Sequence, residues 1–129
     1  MARILLAEDE DALRALTARA LTDSGHEVIT AVDGADALDV LAREAGRFEL
    51  LLTDIKMPLM DGIALALATA RDYPAIIILL MTAYADQRER ASNLDALIHD
   101  VILKPFTLAE IKAAVNEALA AKRKHDGPG

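Results

Sequence analysis

Glu8 and Asp9 close the apolar run at residues 3–7, Asp54 closes the run at 50–53, and Lys104 closes the run at 101–103. If those runs are neighbouring parallel strands, their carboxyl ends bring three carboxylates and one ammonium to one edge of a sheet. Carboxylate oxygens gathered in that way suit a hard divalent cation. An aspartate beside such a cation is a nucleophile for phosphoryl transfer, because the metal neutralises charge that otherwise repels the attack.

The elements that position these groups are visible in the apolar pattern. Runs at 3–7, 27–31, 50–53, 76–81 and 100–103 are short and nearly continuous, as strands buried on both faces require. Helical spacing lies between them: Leu13, Leu16, Ala20 and Leu21; Ala37, Leu38 and Leu41; Ile63, Leu65, Leu67 and Ala70; a more polar stretch from 86 to 97; and Ile111, Val115 and Leu119. Gly25 suits a left-handed helix end, Asp33 and Asp61 suit helix starts, and Pro74 stops the third helix. Thr107 and Glu110 form a T-x-x-E capping box for the last. Strand and helix alternating over short connections force right-handed crossovers. The expected fold is therefore α/β, a doubly wound five-stranded parallel sheet with helices on both faces. One domain over residues 1–120 is expected, followed by a flexible tail at 121–129, where the apolar period is lost.

Composition narrows the function classes. With 129 residues and 53% hydrophobic content the chain has ample material for one core. A formal charge of −7 and a pI near 4.8 argue against direct binding of nucleic acid, which needs a basic face. The absence of cysteine removes disulfides and thiolate metal sites. No apolar run reaches membrane-spanning length or the pattern of a signal peptide, so a cytoplasmic protein without membrane association is expected.

The motifs stand in a familiar order. Glu8-Asp9 follows the first strand, Asp54 with Lys56, Pro58 and Gly62 the third, Thr82-Ala83 the fourth, and Lys104-Pro105-Phe106 the fifth. Over residues 2 to about 120 the chain resembles the receiver domain of bacterial two-component response regulators, with the flavodoxin-like (CheY-like) fold. The resemblance implies Asp54 as phosphoacceptor, Thr82 as the hydroxyl that turns toward the phosphoryl group, and Lys104 as its ammonium anchor. It implies Mg²⁺ as cofactor, held by Asp9, Asp54 and the Lys56 backbone carbonyl, with Glu8 acting directly or through water. It also implies a cis Lys104-Pro105 peptide, a switch and output region at Thr82, Ala83, Tyr84 and Val101, and a histidine kinase or histidine phosphotransferase as phosphodonor. No enzymatic activity is expected beyond self-catalysed phosphotransfer and autodephosphorylation.

Each residue also has a structural reading. Acid pairs complement helix dipoles, Asp54 suits a loop cap, Thr82 a turn and Lys104 a solvated surface. Their joint placement at four strand ends favours the chemical reading. Leu13 fits the helix-one core stripe, although it also stands where receivers meet phosphodonors. His26, His99 and His125 lack metal-ligand spacing and read as surface or turn residues. Arg88, Glu89 and Arg90 read as the wet face of a helix.

Two departures concern output. Receivers often carry an aromatic residue three positions before the strand-five lysine, where this chain has Val101, a stiff side chain of short reach. Leu97-Ile98 replaces the usual Gly-Ala near the end of helix four. Tyr84 and Lys56 flank the path of a hydrolytic water, and Tyr84 is expected to shield the acyl phosphate. The chain ends where the receiver ends, so a single-domain regulator that signals by binding is expected. Within that class, residues 1–9 and 100–108 resemble the CpdR type, which controls substrate delivery to an AAA+ protease (ClpXP-type) or its adaptor. The alternative is a phosphorelay intermediate passing the group to another histidine. An aspartate-nucleophile phosphatase would need a second Asp where Lys56 stands, and a flavin module would not tolerate the acidic run 8–11 at its phosphate loop.

Overall fold

Alternation of short apolar runs with amphipathic segments produces five strands and five helices in this computed structural model, which describes the backbone of residues 1–126 and the side chains of residues 1–122. The order is β1 (Arg3–Ala7), α1 (Asp11–Asp23), β2 (Glu27–Ala31), α2 (Gly34–Arg43), β3 (Leu50–Asp54), α3 (Gly62–Asp72), β4 (Ile77–Thr82), α4 (Ala85–Ser92), β5 (Asp100–Leu103) and α5 (Leu108–Asp126). All pairings are parallel, in the spatial order β2-β1-β3-β4-β5. The order in which strands are added reverses between β1 and β3, the point at which such sheets open a crevice at their carboxyl ends.

The two-residue period of the strands divides the core. Leu5, Ala7, Leu51, Ile78 and Leu80 face α2, α3 and Ala91 of α4, whereas Ile4, Leu6, Leu50, Leu52, Leu79 and Met81 face α1 and α5. A buried leucine or isoleucine contributes roughly 1.5–3 kcal/mol, so the central strands hold the site edge rigidly.

The punctuation residues act as the sequence indicates. Gly25 has φ +96, and the chain closes α1 with bonds from Gly25 N–H to the Thr22 carbonyl and from His26 N–H to the Leu21 carbonyl. Asp33 and Asp61 cap α2 and α3 by accepting from the Asp36 and Ala64 N–H groups, each at 2.8 Å. Thr107 and Glu110 exchange two bonds of 3.0 Å as a capping box.

Several boundaries differ from expectation. β4 begins and ends one residue later, which makes Thr82 its last residue. α4 stops at Ser92 instead of continuing toward 97, because Ala91 is its one buried residue and little apolar surface holds a longer helix down. Leu16 and Leu67, placed on core stripes by spacing, are exposed. α5 runs to Asp126, past residue 120 where the apolar period fades, through residues of good helix propensity. The flexible tail expected at 121–129 reaches beyond the described residues at 127–129. No helix among the described residues is long and apolar enough to cross a membrane.

Candidate functional site

Register delivers the acids to one place. Ala7 pairs with Thr53 and Asp54 with Met81, so the residues after β1 and at the end of β3 stand level with the end of β4. Carboxylate oxygens of Glu8, Asp9 and Asp54 all lie within 4.8 Å of one another. Thr82 pairs with Leu103, which sets Lys104 one step beyond the same edge. The Lys104 ammonium donates to Glu8 Oε1 at 2.7 Å and stands 3.2 Å from Asp54 Oδ2. A cleft of about 360 Å³ opens here, lined by Glu8, Asp9, Asp54, Lys56, Tyr84 and Lys104 among others.

Burial governs the electrostatics. Glu8 is 1% exposed and Asp54 7%. Desolvation pushes the Glu8 carboxyl above its ordinary pKa against the opposing Lys104 bond, and the Asp54 charge adds to the rise. Asp54 is raised by the same burial, with Lys104 opposing and Asp9 adding repulsion. For Lys104, burial is outweighed by the Glu8 bond and by the charges of Asp54 and Glu8, which hold the ammonium above its usual pKa. The three clustered carboxylates outnumber the one ammonium in contact with them, that of Lys104, and so favour a further cation. The donors are hard oxygens at short mutual separation, and they fit Mg²⁺.

The remaining expected residues occupy the rim. Thr82 is fully buried, and its Oγ1 accepts from the Tyr84 N–H at 3.1 Å. Ala83 and Tyr84 are exposed, and the Lys56 ammonium lies 5.0 Å from the centroid of the Tyr84 ring. The Lys104-Pro105 peptide is cis. Val101 is half-buried, packed against the α2–α4 side of the core. Gly62 packs so tightly on the Asp54 backbone that a Cβ there would overlap the Asp54 carbonyl.

Two readings change, those of Leu13 and His26, while His99 and Arg90 lie at the surface as expected but are paired there. Leu13 is half-buried and belongs to neither core cluster; it lines an apolar groove with Pro105 and Phe106 that shares Glu10, Ala83 and Lys104 with the acidic cleft. The helix stripe alone placed it in the core, and only the β5–α5 connection reveals the groove. His26 is buried: Nδ1 accepts from the Ala2 N–H at 3.1 Å and Nε2 faces Asn116 Oδ1 at 3.2 Å. His99 pairs with Glu117 at 2.7 Å, while the His125 side chain lies outside the described residues. Arg90 is exposed yet engaged, donating to Asp61 Oδ2 at 3.0 Å. Spacing gives no sign of that pair, whose members are 29 residues apart.

Comparison with known proteins agrees with this geometry. The family model described as response regulator receiver domain matches residues 4–116. The chain is 35% identical over 130 residues to response regulator MprA of Mycolicibacterium vanbaalenii, covering 98% of this chain and 54% of that protein. It is 37% identical over 111 residues to transcriptional regulatory protein TcrA of Mycobacterium tuberculosis, covering 86% and 43%. The chain thus spans about half the length of the curated relatives it matches. Among solved structures, a CheY-like receiver domain protein from Methanospirillum hungatei superposes with a TM-score of 0.87 at 28% identity, covering 97% of this chain and 98% of that one. TrrA of Thermotoga maritima, solved in complex with Mg²⁺-BeF, gives 0.80 at 30% identity, covering 92% and 99%. The chain belongs to the response regulator receiver domain family of two-component systems.

Proposed function

We propose that Asp54 accepts a phosphoryl group, with Mg²⁺ held by Asp9, Asp54 and the Lys56 carbonyl and with Glu8 binding directly or through water. The observation that carries this reading is the placement of Lys104 between Glu8 and Asp54, at 2.7 and 3.2 Å, beside a third carboxylate. In the transfer, an Asp54 oxygen attacks phosphorus, the bond from phosphorus to the donor's imidazole nitrogen breaks, and the imidazole leaves. When bound, the cation supplies charge neutralisation and alignment of the phosphoryl oxygens. Lys104 gives an ammonium to one phosphoryl oxygen, and the Thr82 hydroxyl turns from the Tyr84 N–H to another. The donor is a histidine kinase or histidine phosphotransferase, and the groove at Leu13, Pro105 and Phe106 offers it apolar contact beside the nucleophile.

Incubation with acetyl phosphate and Mg²⁺, followed by intact mass measurement, tests this directly. One phosphoryl adduct is expected in the wild type and none in Asp54→Asn or in the presence of a chelator. Persistence of the adduct in Asp54→Asn would remove the assignment.

Output passes through phosphorylation-dependent binding. The narrower reading, control of substrate delivery to an AAA+ protease or its adaptor, is supported by the CpdR-like stretches 1–9 and 100–108. Pull-down of a ClpX-type unfoldase with the phosphorylated and unphosphorylated protein tests it, and equal capture of both forms counts against it. Onward transfer to a second histidine is the alternative. Loss of label to a purified histidine phosphotransferase would favour that role.

A further inference from the structure

α4 is lightly attached to the body of the protein. Ala91 is its one buried residue, and the helix is otherwise polar. Two contacts tie it to segments that bear the acidic cleft. At its start, the N-cap residue Tyr84 donates its N–H to Thr82 Oγ1. In its last turn, Arg90 Nη2 donates to Asp61 Oδ2 at 3.0 Å, while Nη1 is steadied by Gln87 Oε1 at 3.3 Å.

Asp61 is the significant end of the second contact. Its Oδ1 caps α3 by accepting from the Ala64 N–H, so one carboxylate serves two elements. It closes the loop that begins after Asp54 and contains Lys56. That loop is pinned at its base by the Gly62 N–H bond to the Ile55 carbonyl at 2.7 Å, with Gly62 seated on the Asp54 carbonyl. A shift of the loop is therefore felt at Asp61, and through Arg90 at α4.

We propose that Asp61 and Arg90 are a positioning pair that couples α4 to the loop carrying Lys56, so that loading of the acidic cleft and the placement of α4 bias each other. This inference rests on the reading of Glu8, Asp9 and Asp54 as a metal site. Coupling of this kind is reciprocal: whatever factor α4 placement contributes to ligand affinity, the ligand returns to α4.

The test measures Mg²⁺ affinity by calorimetry and amide hydrogen exchange over residues 84–92, with and without Mg²⁺ and beryllofluoride. Wild type is compared with Arg90→Ala, Arg90→Lys and Asp61→Asn. Asparagine retains the α3 cap while removing the charge that faces Arg90. Arg90→Ala and Asp61→Asn are each expected to weaken Mg²⁺ binding about two- to five-fold, the scale of one exposed ion pair. Both should also shrink the exchange response of α4 to loading, and Arg90→Lys should restore most of it. Unchanged affinity together with an unchanged α4 response in both variants overturns the pair, even if the variants melt at lower temperature. A wild type that binds neither Mg²⁺ nor beryllofluoride overturns the metal reading itself, and the coupling with it.

Discussion

The ammonium of Lys104 is closer to Glu8, at 2.7 Å, than to Asp54, at 3.2 Å. The buried glutamate thus takes the stronger share of this ammonium, and the nucleophile is left less fully compensated. Both carboxyls are raised above their ordinary pKa, chiefly by burial.

That electrostatic arrangement makes stability depend on pH and on metal. A carboxyl whose folded pKa is raised favours folding fully below its unfolded pKa, and that contribution is lost as pH rises through the folded pKa. In the absence of divalent cations, the melting temperature should therefore fall as pH climbs above the ordinary carboxylate range. Mg²⁺ should oppose the fall, and Asp54→Asn should flatten it. Thermal melts at several pH values with chelator or Mg²⁺ read all three effects. A wild-type slope equal to that of Asp54→Asn would contradict the account.

Gly62 should not accept a side chain. Its missing Cβ makes room for the Asp54 carbonyl and Ile55. Gly62→Ala is expected to cost about 1–3 kcal/mol of overpacking and to slow Asp54 phosphorylation by displacing the nucleophile's backbone. Urea unfolding and acetyl phosphate labelling check the two effects. Full stability with full labelling would show that the loop yields freely.

Tyr84 flanks the cleft with Lys56 held against its ring. If the ring shields the acyl phosphate from water, Tyr84→Ala should shorten its lifetime severalfold, and Tyr84→Phe should preserve it. The decay of phosphorylated protein after donor removal gives the rates. Equal decay in Tyr84→Ala and the wild type would remove the shielding role.

His26 joins the start of β1 to α5. Because Nδ1 accepts from the Ala2 N–H, the proton of the neutral ring lies on Nε2, where it donates to Asn116 Oδ1. His26→Ala leaves the buried Ala2 N–H without a partner and should cost about 1–3 kcal/mol. The change lies at the edge of the sheet opposite the acidic cleft, so labelling of Asp54 in the folded protein should be unaffected. Denaturant unfolding beside labelling separates the two outcomes.

The sequence by itself determined the strand-helix alternation and the residues at the strand ends, because periodicity and capping are local properties. Runs such as 3–7 and 50–53 must be buried strands, and Asp33, Asp61 and the Thr107–Glu110 box mark helix starts through bonds within four residues. The acidic cluster was legible for the same reason, since a parallel sheet converts strand ends into one edge. Tertiary structure alone decided which ammonium meets which carboxylate, that Leu13 lines a groove beside Phe106, that His26 is buried against Asn116, and that Arg90 reaches Asp61. Those contacts join residues far apart in the chain, and their partners are chosen by how helices pack across the sheet. No pattern of neighbours in sequence encodes that choice.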